Sequence, residues 1–243
     1  MRFFIGVFLS ILFLSQNLLA QAAFKTVRER IIKAEEQTAT VPSNPYVPVG
    51  SSGVVIREFD DEHESIIAKA IVEEKNEKEM KIRFKPFDML KQDALPTPKI
   101  KPRKGDKVIL NYLYDRAFVI VPNEESYLEV LSQFPAISWI HPDILAAFLS
   151  KEYNPQPSKE DFQKVCNKNA SMLLFFAIGD KGYFVDCNTF KIIKETPFDK
   201  KDSKEMVPFY SRIGEIESNI FDLTKGKIEN YETYYKKLLG IEK

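Results

Sequence analysis

Two histidines and two cysteines are the whole supply of imidazole and thiol groups in this 243-residue sequence, the side chains most often used for metal ligation and proton transfer near neutral pH. His63 lies in the run Asp60, Asp61, Glu62, His63, Glu64, whose carboxylates could gather a hard cation through oxygen. The spacing fits no EF-hand, and a solvated turn explains it equally well. His141 and Asp143 stand where a strand should end, beside Asn123 and Glu124 after the preceding strand. Crevices at the carboxyl ends of open sheets bind small ligands. Yet the sequence holds no G-x-S-x-G elbow, no glycine-rich phosphate loop and no H-E-x-x-H pair, and Pro142 with Asp143 is ordinary helix-start chemistry. The expectation is a non-enzyme without metal or cofactor. Cys166 and Cys187 form an even pair, which an oxidising compartment would join. Cys166 shares a helix face with Phe162, and Cys187 shares a strand face with Tyr183 and Val185; two buried free thiols are the alternative.

Lysine offers a second kind of chemistry. Lys99, Lys101, Arg103, Lys104 and Lys107, with the Lys81 strand, could hold an anionic polymer or be loop lysines in water. Lys243 closes the sequence after "YYKKLLGIE", where a free carboxylate would join its ammonium. Lys236 and Lys237 precede it on a helix that Gly240 should end.

The elements that must position these residues begin after a short leader. Arg2, the apolar run Phe3–Leu14 and "LLAQAA" predict a signal peptide over 1–22, cut after Ala20 or Ala22. That run is too short to span a bilayer. No cysteine follows it to carry a lipid, so the mature chain is expected to be exported without a membrane span. Lysine plus arginine equals aspartate plus glutamate at 35 each, so no global field attracts nucleic acid. With 44% hydrophobic and 29% charged residues, the composition is that of a globular protein.

The fold expected is mixed α+β or α/β. Residues 26–113 read as a small antiparallel barrel or sandwich: "GVVIREF" and "SIIAKAIV" flank the acidic turn, Met80, Ile82 and Phe84 alternate with Lys81, Arg83 and Lys85, and Gly105 turns the chain before Val108 and Leu110. Residues 114–196 read as an α/β domain. "RAFVIVP" and "ISWIHP" are strands, and Asn123 caps a helix carrying Tyr127, Val130, Leu131 and Phe134. A helix over "DILAAFLSK" follows, then one started by Ser158 and Asp161, the hairpin "SMLLFFAIGDKGYFVDC" and the strand "FKIIKE". Residues 197–243 read as a charged loop and two amphipathic helices, one through Phe209, Ile213, Ile216, Ile220 and Leu223, the other through Tyr231, Tyr234, Tyr235 and Leu238. The tyrosines are expected to pack on the domain.

The stretches "VGSSGVVIREFDDEHESIIAKAIV", "FDMLKQDALPTPKIKPRKGDKVILNYLYDRAFVIVPNEESYLEV", "IHPDILAAFLS" and "LLFFAIGDKGYFVD" resemble the N-terminal domain of bacterial plasminogen-binding surface proteins of the PgbA type. The resemblance covers nearly the whole mature chain. It implies a host partner, plasminogen, met at the surface of a Gram-negative bacterium through lysines recognised by kringle domains, with Lys243 as ligand and Lys236 and Lys237 adding general attraction. A competing expectation is a periplasmic scaffold component packed among protein partners in an envelope assembly such as the flagellar motor.

Overall fold

The computed structural model describes residues 24–89, 100–199, 201–218 and 227–241. The expected signal peptide and Lys243 lie outside them. The first seven strands all precede Asn111 and form one antiparallel sheet. They are β1 (Val27–Arg30), β2 (Lys33–Ala34), β3 (Thr38–Pro42), β4 (Ser52–Glu58), β5 (Glu64–Lys75), β6 (Glu79–Lys85) and β7 (Lys107–Leu110), in spatial order β1-β7-β4-β5-β6-β3-β2. The two edge strands are neighbours in the chain, so the sheet must curl. At the bend, the Ile31 amide donates to Asp106 O and the Ile32 amide to Thr40 O, at 3.0 and 2.8 Å. The product is a half-barrel whose inside holds the alternate residues of each strand, among them Val41, Val72, Met80, Ile82, Val108 and Leu110. Met80 and Ile82 are fully buried while Lys81 faces water, which is the period-two reading of that strand. Arg57 and Asp106 form a bidentate pair in the wall, at 2.5 and 2.8 Å.

The second sheet has five strands in the order β12-β11-β10-β8-β9. Strand β8 (Arg116–Ile120) leads through α1 (Glu124–Gln133) to β9 (Ser138–Ile140), then through α2 (Pro142–Lys151) and α3 (Lys159–Lys168) to β10 (Leu173–Ile178), the hairpin strand β11 (Lys181–Asp186) and β12 (Ile192–Pro197). Strand β8 runs parallel to β9 and β10, and β10, β11 and β12 are antiparallel. The architecture is therefore mixed α and β. Asn123 accepts from the Ser126 amide, and Ser158 with Asp161 completes a capping box, so both helices begin where their cap residues predict.

All six residues of β10 are buried, as expected for a central strand covered on both faces. Phe175 packs against Phe134, Trp139, Phe184 and Phe198, while its neighbour Phe176 packs oppositely against Phe162, Phe190 and Tyr235. Gly182, opposite Ala177, leaves room for one of those rings. A Cβ there would stand 2.4 Å from Phe175 Cζ and 2.9 Å from Thr196 Cγ2.

A last helix, α4 (Tyr231–Leu239), lies on β10 with Tyr231 and Tyr235 fully buried, so the tyrosine stripe is packing. The other expected C-terminal helix is not found where the chain is described, since residues 207–218 are irregular; Ile220 and Leu223 lie outside the described residues. Phe209, Tyr210 and Ile216 are each buried against the second sheet, and the Tyr210 amide bonds Val121 O. Tertiary contacts take the backbone donor that a helix would have used.

The two sheets meet at one carboxylate. Asp186 Oδ2 accepts from the Ser52 amide (3.0 Å), Ser52 Oγ (2.5 Å) and Tyr114 Oη (2.5 Å), and Oδ1 accepts from the Thr189 amide (2.7 Å). Thr189 Oγ1 donates to Gly50 O, and Asn188 Nδ2 to Ser52 Oγ. Burial pushes the Asp186 carboxyl above its ordinary range, against the pull of the donors from Ser52, Tyr114 and Thr189. A raised carboxyl contributes stability in full below its unfolded pKa and loses it as pH rises through the folded value.

The sulfurs of Cys166 on α3 and Cys187, just beyond β11, are bonded across a separation of 21 residues, where the helix covers the hairpin. In the chain-entropy account such a loop is worth about 3 kcal/mol. We expect the denatured, unreduced protein to show no reactive thiol, and a Cys166→Ala/Cys187→Ala variant to lose stability of that order; two reactive thiols would show the bridge absent. Replacing Asp186 by alanine strands four buried or half-buried donors, and we expect a loss of about 3 kcal/mol or more in urea unfolding. The gap between wild type and this variant should narrow as pH is raised through the folded pKa of Asp186, and a widening gap would contradict the assignment.

Candidate functional site

Strand β8 has β9 on one side and β10 on the other, reached by successive crossovers. Its carboxyl end is therefore the topological switch point at which open sheets bind ligands. His141, Asp143, Asn123 and Glu124 do converge there. His141 caps α2, its Nδ1 standing 3.1 Å from the Asp143 amide and 3.2 Å from Asp143 Oδ1. Its ring packs on Tyr127 at 5.0 Å and Tyr210 at 6.3 Å between centroids.

The chain itself occupies this end of the sheet. Three consecutive carbonyls of the β8 exit, Ile120, Val121 and Pro122, accept from Tyr231 Oη (2.8 Å), the Tyr210 amide (2.8 Å) and the Met206 amide (2.7 Å). Asp143 receives the Arg212 amide and Nε, both at 2.8 Å. Burial alone would raise the Asp143 carboxyl, but the Arg212 amide and guanidinium, with His141, outweigh it and hold the group below its ordinary range. Lys201 pairs with Glu129 and Ser203 Oγ with Glu125 along α1. Residues 201–212 thus form a strap over the crevice, and the convergent polar groups hold that strap. Reasoning from sequence missed Tyr210 and Arg212 because apolar spacing assigned them to a helix; Pro208 and Gly214 on either side were the signal against it.

The acidic turn is likewise consumed by structure. Asp60 Oδ1 accepts the Glu62 and His63 amides and lies 2.7 Å from His63 Nδ1, while Glu58 and Glu64 reach Lys107. The Glu62 amide first, then His63, hold the Asp60 carboxyl below its ordinary range. Among the described residues no group of three or more His, Cys, Asp or Glu side chains comes together as a metal-ligand set. Of the basic run, Lys101 pairs with Glu36 and Lys107 with Glu58 and Glu64, as Lys81 does with Glu74. Arg103 and Lys104 make no ion pair among the described residues; Lys99 lies outside them.

The lysines of α4 are displayed differently. Tyr231 and Tyr235 anchor the inner face, and Tyr234 Oη donates to Pro157 O at 3.0 Å. Burial pushes the Tyr234 hydroxyl up to about 12. The last turn then carries Lys236, joined to Glu232 at 3.1 Å, and Lys237, exposed and without an ion pair among the described residues. Gly240 adopts the left-handed conformation at φ 71° and lets the Gly240 and Ile241 amides close on the carbonyls of Lys237 and Lys236, so the chain leaves the helix there.

Compared with known families, residues 26–239 match the family described as plasminogen-binding protein pgbA N-terminal. The match runs from the first strand of the half-barrel to the end of α4. Two relatives, both named plasminogen-binding protein PgbA, come from Helicobacter pylori strains J99 and 26695. Each is 28% identical over 202 residues, covering 80% of this chain and 43% of the relative. The chain spans less than half the length of the curated relatives it matches.

If the strap is held by aromatic burial and not by its exposed ion pairs, Tyr210→Ala should cost about 3 kcal/mol in thermal or urea unfolding. Asp143→Asn should cost only a small part of that, because Arg212 is largely in water and screened pairs contribute little. Equal losses would overturn that ranking.

Proposed function

The chain belongs to the family of PgbA-type N-terminal domains, and from that premise we propose that it is an exported, non-enzymatic binding protein that offers lysines to plasminogen. The observation that carries the reading is the family match over residues 26–239. The geometry of α4 supports it. Buried tyrosines fix the inner face of the helix, its last turn points Lys237 into water, and Gly240 releases the following residues from the helix. A kringle lysine site matches an ammonium to an acidic couple, lays the aliphatic stem across aromatic rings and meets a carboxylate with a cation. Lys243, three residues beyond Gly240 in the sequence, supplies an ammonium and a stem. Lys237 supplies the ammonium and the stem, and Lys236 shares its charge with Glu232. Export through the apolar leader brings the domain to a compartment where a host protein can be met.

The test measures plasminogen binding to the mature chain on a sensor surface, with and without a free lysine analogue. Three variants are compared: one lacking Lys243, Lys236→Ala/Lys237→Ala, and the two changes combined. We expect the analogue to compete, the deletion to weaken binding most and the combined variant to bind least. Binding that ignores the analogue and all three variants would remove lysine presentation from this domain.

A further inference from the structure

Three segments distant in the chain meet beside β12. Phe24 sets its ring against Tyr114 and Phe184, on the face of the second sheet that carries Phe175. Lys194, opposite Phe184 in the ladder, holds its ammonium 5.8 Å from the centre of the Phe24 ring. Lys25, the next residue along, holds its own 5.0 Å from the centre of the Tyr46 ring. Three residues beyond Tyr46, Val49 leads into Gly50, where an added Cβ would stand 3.0 Å from Lys191 Cβ. The circuit closes on itself, so Tyr46, Lys25, Phe24, Lys194, Lys191 and Val49 form one patch across the joint between the sheets.

Its charge is of one sign. Lys25, Lys191 and Lys194 are exposed and make no ion pair among the described residues. Glu29 reaches the same loop but accepts from Asn44, and Glu195 pairs with Lys181. Its apolar part stands in water, with Tyr46 57% and Val49 42% exposed. The loop that carries them has nearly spent its main chain. Residues 45 and 48 are prolines and have no amide to satisfy. The Tyr46 amide bonds Asn44 Oδ1, the Val47 amide Asn44 O and the Gly50 amide Val72 O, while Pro48 O accepts the Ser51 amide. Tyr46 O accepts from Asn111 Nδ2, Val47 O from Lys75 Nζ and Gly50 O from Thr189 Oγ1. Only the Val49 amide and the carbonyls of Pro45 and Val49 have no partner among the described residues. A peptide adding as a strand would find little here to bond. A loop with its polar groups already paired can leave bulk water at small cost.

We infer that this patch seats the protein on the surface of a bilayer that carries anionic lipids. Tyr46 and Val49 enter the boundary between headgroups and acyl chains, a place that suits a ring with a polar tip. The three ammonium groups around them meet lipid phosphates, and their aliphatic stems reach along the apolar side chains to that level. Helix α4 rests on the opposite face of the second sheet, where Tyr235 packs on Phe176. The seated protein therefore holds α4 on the side away from the membrane, and the lipid contact does not depend on what α4 binds.

Mature protein is mixed with vesicles of phosphatidylcholine alone, or of phosphatidylcholine with phosphatidylglycerol, and the bound fraction is read after sedimentation. We expect binding to the anionic vesicles only. Lys25→Gln/Lys191→Gln/Lys194→Gln should weaken it by about a hundredfold and Tyr46→Ser/Val49→Ser by about tenfold. All five side chains are exposed, so circular dichroism should not change. Lys151→Gln/Lys164→Gln/Lys168→Gln removes as much charge from α2 and α3 and should stay within about twofold of wild type, because only lysines close to the lipid surface are attracted to it. Failure to bind the anionic vesicles, an equal loss in the α2 and α3 variant, or full binding by the serine variant would each overturn the inference. Tighter binding to polyglutamate than to the anionic vesicles would overturn it as well and assign the patch to an acidic polypeptide.

Discussion

One buried carboxylate sets the relation between the two sheets. Asp186 ends the hairpin of the second sheet, and its four donors come from the first residue of β4, from the connection between the sheets and from the turn that follows Asp186 itself. A carboxyl this deep is costly to ionise, which is why its pKa rises despite the donors around it. The stabilisation such a cluster gives is modest beside what any one missing member would cost. Its value lies in geometry. An apolar contact would tolerate sliding, whereas Ser52 and Tyr114 must both reach one oxygen, and that fixes the half-barrel to the second sheet at a single position. Phe24 extends the joint by setting its ring edge-on to both Tyr114 and Phe184.

The chain's own residues also cover the switch point of the second sheet at the carboxyl end of β8. In many open sheets the strand carbonyls and helix N-termini at that place are left for a ligand. Here Met206, Tyr210 and Tyr231 take three successive carbonyls, and Arg212 takes the carboxylate of Asp143. The C-terminal stretch thereby becomes part of the core, and its last helix is held against β10 by two fully buried tyrosines. A rigid helix with lysines in its last turn displays them at lower entropic cost than a loose tail would.

Much of this was legible in the sequence because local chemistry decided it. Asn123, Ser158 and Asp161 mark helix starts through their own side chains, and Met80, Lys81 and Ile82 carry the alternation of a half-buried strand. The cysteines met because a helix and a hairpin adjacent in the chain pack together. Over the described residues the helix expected through Phe209 failed for the opposite reason: its apolar spacing suits a helix, but Phe209, Tyr210 and Ile216 are buried against the second sheet, and long-range backbone bonds outweighed propensity. The Asp186 joint was invisible because Ser52 lies 134 residues away and neither residue belongs to a recognisable motif. His141 showed its position but not its role, since a histidine acting as a helix cap reads the same in one dimension as one facing a ligand.

Joined at Asp186, the half-barrel and the second sheet should fold and unfold as one body. The single tryptophan, Trp139, reports the second sheet through its contacts with Phe134 and Phe175. The amides of Val72 and Ile82, deep in the half-barrel, report the first. Denaturant unfolding should be followed by Trp139 fluorescence and by hydrogen exchange at those amides in the same samples. Coincident transitions with one free energy are expected. Half-barrel amides that open while Trp139 fluorescence stays native would contradict it.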